Sequence, residues 1–318
     1  METSYLYEEE DHPIFDEDRF YLNTLKIKSL KETILSWIWT GAMGGMIIGY
    51  SRTGKSTAID GLCDQIIWRN GKQIPCVCFR MGDRDVKNIT TIFRGLCFKR
   101  NLRTKTRLNT DEFANNIIIN LAELCHEARS KRIIIFVDEM QFLRPRQFNA
   151  FAEIHAGLKD LKVLASVIFI GNDPDCIQLY KQITDTERYR HIFGRFFTRK
   201  TRFEGITSRE EVEHCLTQYD TLQYPENGPT YTQYFLDDAK RKKWRLASIS
   251  LDVWSEYNDY VKGANITSWG MQYFTATVRV LLCDTLREHG IDAYDPLMIK
   301  NALNMSGVLS SSVSTIEL

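Results

Sequence analysis

Gly49-Tyr50-Ser51-Arg52-Thr53-Gly54-Lys55-Ser56 has the spacing of a loop that wraps phosphate groups. Glycines at its first and sixth positions let successive backbone N–H groups turn inward around an anion. Lys55 carries an ammonium toward the β- and γ-phosphates, and the Ser56 hydroxyl is an oxygen ligand for Mg²⁺. Thr57 opens a helix whose N-terminal dipole favours the same anion. The expected cofactors are ATP and Mg²⁺, held by Gly49, Ser51, Arg52, Thr53, Gly54, Lys55, Ser56 and Thr57. A second set of residues suits the chemistry that follows binding. The apolar run Ile133-Ile134-Ile135-Phe136-Val137 ends in Asp138-Glu139. There Asp138 is expected to hold the metal together with Ser56, and Glu139 to orient and deprotonate the attacking water. Asn172, at the end of another apolar run, is expected to sense the γ-phosphate if its strand neighbours that of the loop. Among the arginines of the segment from Glu187 to Phe196, Arg195 is the first choice for a finger reaching a neighbouring subunit, with Arg188 and Arg190 as secondary candidates.

These side chains need strands that end at one edge of a sheet. Residues 45–48, Ile74 to Arg80, Arg132 to Val137 and Val163 to Ile170 are nearly continuous apolar runs. Helical patterns separate them: Asn88 to Lys99 and Thr110 to Ser130. Such runs belong to a parallel sheet covered on both faces, an α/β fold of the P-loop NTPase kind. A helix from Ser29 to Trp39, with Ser29 as N-cap and Glu32 at the capping-box position, precedes the first strand. Ser208 to Glu211 repeats the capping-box pattern. Beyond it the sequence is helical to Leu303 apart from the segment 224–232. The expected organisation is an acidic arm (1–22), an α/β core (23–205), a helical lid (206–305) and a flexible tail (306–318).

Net charge is zero over 318 residues, but eight acids and no Lys or Arg fall in the first 18. The remainder is therefore basic, which suits an anionic partner; the acidic arm either competes with that partner for a basic groove or is a solvated terminus. No apolar run approaches the roughly 20 residues that span a bilayer, and the acidic start lacks the features of a signal peptide. A cytoplasmic protein that does not engage membranes is expected. Eight cysteines form no C-x-x-C pair and read as reduced, buried thiols.

Together the phosphate loop, the Asp-Glu strand, Asn172, Gly194-Arg195-Phe196 and the helical lid resemble the AAA+ ATPase family. Within it the chain resembles the TnsC/TniB type, the regulators of transposition that include those of CRISPR-associated transposons. Features carrying this are the Ser-Arg-Thr centre of the loop, Ser36-Trp37-Ile38-Trp39, Phe79-Arg80 and Phe136 to Leu143. The resemblance implies a homo-oligomeric ring or filament, assembled on double-stranded DNA with ATP, that marks a target and recruits transposase alongside target-selection proteins. Replication initiators or helicase loaders, a P-loop kinase and a non-hydrolysing ATP-binding scaffold are the competing readings. One departure stands out. Lids of the family often carry a sensor arginine just after a helix-start glycine, whereas here Gly270 is followed by Met271-Gln272, and Arg279 lies more than two turns on.

Related ATPases follow the DNA backbone with the region between the second strand and the Asp-Glu strand. Here it holds Lys99, Arg100, Arg103, Lys105 and Arg107, with Lys87 at the start of the preceding helix. Without interleaved aromatics these cations neutralise phosphates rather than read bases, so salt-sensitive, sequence-tolerant binding is expected; the alternative is a solvated basic loop. A second basic cluster, 240–245, either meets DNA or a partner or is a solvated helix face.

Overall fold

A computed structural model of the chain describes residues 11–16, 19–83, 88–102 and 108–311. It divides into two compact units: residues 29–51 with 55–203, and residues 1–28 with 52–54 and 204–318.

The first unit is a five-stranded parallel sheet of order β2-β3-β4-β1-β5, with β1 Gly44–Gly49, β2 Cys76–Arg80, β3 Arg132–Asp138, β4 Leu164–Asn172 and β5 Lys200–Arg202. Helices α1 (Leu25–Trp39, of which 29–39 belong here), α2 (Lys55–Cys63), α3 (Ile89–Lys99), α4 (Thr110–Glu127), α5 (Phe148–Asp160) and α6 (Cys176–Asp185) accompany it. Successive strand residues point to opposite faces, and in β3 both sets, Ile133, Ile135 and Val137 as well as Ile134 and Phe136, are buried. This explains the unbroken apolar run of β3: neither of its faces meets water. Phe169 of β4 centres one face, with ring centroids of Phe148, Phe151, Phe196 and Phe197 4.8–5.7 Å away. On the other, a Cβ at Gly45 would come within 2.3 Å of the Trp37 ring, so α1 packs directly on β1.

Two sequence expectations change here. Helix α1 begins at Leu25, not Ser29, because the Thr24 hydroxyl accepts from the Ile27 N–H at 3.2 Å and caps the chain one turn earlier. Short and polar, β5 was not anticipated; it joins β1 through backbone bonds, Met46 N to Arg199 O at 2.9 Å and Phe203 N to Ile48 O at 2.7 Å.

The second unit is helical, built on α7 (Arg209–Tyr219), α8 (Ser250–Tyr260), α9 (Met271–Arg279) and α10 (Pro296–Ser306) with shorter turns between. Its core includes a fully buried Trp269 stacked on Tyr257, ring centroids 4.2 Å apart and planes 3° from parallel. At Ser208 half of the expected capping box forms: its hydroxyl accepts from Glu211 N, while the Glu211 carboxylate turns to Thr207 and Lys26. The N-terminal segment is packed where it is described. His12 sits among Tyr224, Tyr231, Tyr234 and Phe235, and Ile14 and Leu22 are buried, so these residues belong to the helical unit rather than to a solvated arm. Val308, in a 3₁₀ turn after α10, is buried too. Among the described residues no helix is long and apolar enough to cross a membrane.

Candidate functional site

The parallel register brings the chemistry together. Gly49, at the end of β1, lies opposite Asn172, at the end of β4, and Arg80 of β2 lies opposite Asp138 of β3. All four therefore share the C-terminal edge of the sheet, where parallel α/β folds hold their ligands. A Cβ at Gly49 would meet the Phe203 carbonyl oxygen at 2.1 Å, so only glycine fits that strand end. Gly54, at φ +89°, takes the left-handed turn into α2 that other residues resist.

Lys55 is buried, and its ammonium donates to three acceptors: Gly49 O at 2.9 Å, Tyr50 O at 2.6 Å and Asn172 Oδ1 at 2.9 Å. Burial pushes the amine below its ordinary pKa, while the carboxylates of Asp138, Glu139 and Asp173 pull it back toward the charged form. Next to it the Ser56 hydroxyl donates to Asp138 Oδ2 at 2.7 Å. The same oxygen takes Arg80 Nε at 3.4 Å, and Arg80 also pairs with Asp60 at 3.7 Å. Ser56 and Asp138 thus present adjoining oxygens, the kind of ligand Mg²⁺ takes in ones and twos before completing its shell with phosphate and water. The residues fit MgATP on this count and on the Lys55–Asn172 pairing.

Glu139 adopts φ 60°, ψ 43°, left-handed for a residue with a side chain, a conformation costing of order 1–3 kcal/mol and concentrated at functional sites. Its N–H donates to Asp138 Oδ1 at 2.9 Å. Gln141 Nε2 donates to the Glu139 carboxylate, and Gln141 Oε1 accepts from Asn172 N at 3.3 Å. Neither Arg80 nor Gln141 was singled out from the sequence as a site residue. Both depend on cross-strand register, and only the strand-end position of Arg80 hinted at its role.

Ser51 is exposed, and Thr53 is buried. Residues Arg52–Gly54 group with the helical unit. Arg52, at φ 63°, donates from Nη1 to the Tyr273 hydroxyl at 2.5 Å, and its carbonyl accepts from Gln272 N at 3.3 Å. At the start of α9 the guanidinium thus comes from the loop rather than from the helix, while Arg279 lies at the far end of α9.

The arginine candidates lie elsewhere. Arg188 and Arg190 are exposed. Arg195 is half-buried in a π-helical turn, Phe193–Phe197, near His155 of α5, whose pKa falls through burial first and the charges of Arg195 and Lys159 second. None of the three bonds to Lys55, Asp138 or Glu139 among the described residues. Lys99 is exposed at the end of α3, and Arg100 donates from Nε to Asn120 of α4 at 3.0 Å. Lys87, Arg103, Lys105 and Arg107 lie outside the described residues. In the 240–245 cluster, Arg241 and Lys242 pair with Asp238 and Arg245 with Asp220, so acids of the same unit offset much of its charge.

Residues 40–179 match the family model described as AAA domain. Solved structures similar to the chain include the ORC1 protein of Aeropyrum pernix in complex with DNA (14% identity, 96% of this chain and 82% of that one, TM-score 0.43). Others are CDC6P of Pyrobaculum aerophilum (15%, 92% and 83%, 0.43) and a Walker-type ATPase of Pyrococcus abyssi (14%, 92% and 90%, 0.42). No curated protein matches the chain by sequence.

Proposed function

We infer that this chain, an AAA+ P-loop NTPase fold with its AAA domain at residues 40–179 and a helical C-terminal region, is an ATPase that assembles on DNA with ATP. The observation carrying the hydrolase part is the convergence of Lys55, Ser56, Asp138, Glu139 and Asn172 on one sheet edge, joined by hydrogen bonds. Bound MgATP supplies the γ-phosphoryl group and the charge that makes it electrophilic. Lys55 would bring its ammonium to the phosphates, Ser56 and Asp138 would hold the metal, and Glu139 would take the proton of a water. Asn172, already within reach of the Lys55 ammonium, reports whether that ammonium is otherwise engaged.

The assembly part of the reading rests on the arginine-rich segment and on the basic region that follows Lys99. No arginine of the 188–195 segment reaches its own subunit's carboxylates among the described residues, which supports Arg195 completing the site of a neighbour. Exposed Lys99, with the cations that follow it in the sequence, supports contact with DNA phosphates. Within this class we assign the chain to regulators of transposition, on the sequence resemblance given above.

Purified chain should turn over ATP in Mg²⁺, and Glu139→Gln should keep its affinity for a fluorescent ATP analogue while turnover falls about 100-fold or more. Normal turnover by that variant would remove Glu139 as the base. Electron microscopy with a non-hydrolysable analogue and duplex DNA should show rings or filaments. A strictly monomeric chain that ignores DNA at low salt refutes the assembly. Co-purification of a helicase instead of a transposase refutes the assignment to transposition.

A further inference from the structure

We propose that Gln141 is a positioning residue for Glu139, tying its carboxylate to the end of β4 through a single side-chain amide; the proposal rests on the ATPase reading above. Among the described residues Gln141 is the sole hydrogen-bond partner of that carboxylate. The amide's orientation is dictated by chemistry at both ends. A carboxylate only accepts, so it requires the NH₂, and a backbone N–H only donates, so Asn172 N requires the oxygen. Flipping the amide would set oxygen against carboxylate and NH₂ against N–H. The Cys176 thiol adds a weak third contact to the same oxygen at 3.8 Å.

The slot that admits the amide is built by Gly171. A Cβ there would lie 2.3 Å from Cys176 Sγ, 2.8 Å from Met140 Cγ and 3.1 Å from Gln141 Oε1, so any side chain at 171 would evict the amide or its neighbours. Asn172 continues the connection: its backbone holds Gln141 and its side chain holds Lys55. Glu139 and Lys55, on different elements, are thereby joined through two amide side chains. Because Gln141 touches the base rather than the reacting atoms, it acts on the rate by fixing where the carboxylate points.

The test uses the full chain. Q141L removes donor and acceptor; Q141E keeps the oxygen toward Asn172 but sets a second carboxylate against Glu139. With ATP as substrate, both are expected to lose about 10- to 100-fold in kcat with KM changed less than about twofold, the pattern of a misplaced catalytic group. In nucleotide-free protein labelled with ¹⁵N-glutamine, the Gln141 side-chain amide peak, identified by its loss in Q141L, should move in Glu139→Gln, where a neutral acceptor replaces a charged one. An unmoved peak, or unimpaired kcat in both variants, overturns the proposal. If the wild-type chain does not hydrolyse ATP, the ATPase reading falls, and the amide peak alone still decides whether Gln141 holds Glu139.

Discussion

Lys55→Met separates the cost of the lysine from its use. The Lys55 ammonium regains three hydrogen bonds in the fold, to Gly49 O, Tyr50 O and Asn172 Oδ1. Against this stands the several kcal/mol needed to strip water from an ammonium, so exchange for an apolar side chain of similar length is expected to be near neutral. The acceptors left behind are not stranded: Gly49 O keeps the Asp173 N–H at 3.1 Å, and Asn172 is only half-buried. Net change without nucleotide should stay within about 2 kcal/mol, or roughly 4–8 °C in Tm. At 100 times Kd, ATP should stabilise the wild-type chain by about 2.7 kcal/mol, or roughly 5–10 °C, and the variant by nothing measurable. Thermal unfolding with and without MgATP reads both quantities. A variant still stabilised by ATP would refute Lys55 as the phosphate cation. One that lost more than about 5 kcal/mol without nucleotide would mean the lysine serves the fold instead.

Two further outcomes follow from the same edge of the sheet. Burial holds the Lys55 amine below its ordinary 10.5, so between the lowered value and 10.5 the unfolded chain binds more protons than the folded one. Wild-type stability relative to Lys55→Met should therefore rise with pH across that window in denaturant titrations, and a fall would contradict the desolvated amine. Gly49→Ala places a methyl 2.1 Å from the Phe203 carbonyl and should cost about 3 kcal/mol or more, whereas Gly82→Ala, with open space around it, should leave Tm unchanged. Equal Tm values for the two would refute the close approach at Gly49.

What could be read in advance depended on whether the determining contacts were local. The loop from Gly49 to Ser56 is legible because phosphate chemistry fixes its residue types at fixed spacing, and β1 to β4 because a doubly covered strand has to be apolar throughout. Strand β5 hides because Lys200–Arg202 contributes backbone, not side chains, to the sheet. Helix α1 starts early because one hydroxyl, Thr24, outcompetes a better-looking capping pattern at Ser29. The placement of Asn172 was conditional on strand order, and the observed β1–β4 pairing supplies the condition. Gln141 was out of reach for the opposite reason: its partners, Glu139 and Asn172, become neighbours only once β3 and β4 are in register. The Glu187–Phe196 segment shows a different limit: Gly194-Arg195-Phe196 ranks Arg195 first in the sequence, but that Arg195 is half-buried while Arg188 and Arg190 are exposed is not written in the composition.

The middle of the phosphate loop carries a practical consequence for dissecting the molecule. Arg52 meets a hydroxyl 221 residues further along the chain, and the Met271 side chain lies 3.2 Å from where a Cβ of Gly54 would stand. A fragment ending at residue 203 would keep all eight residues of the loop yet lose the groups that meet Arg52 and Gly54. The loop is thus not a cassette to be cut out or grafted with its strand and helix. A nucleotide-binding defect in such a fragment would report missing scaffolding rather than missing chemistry.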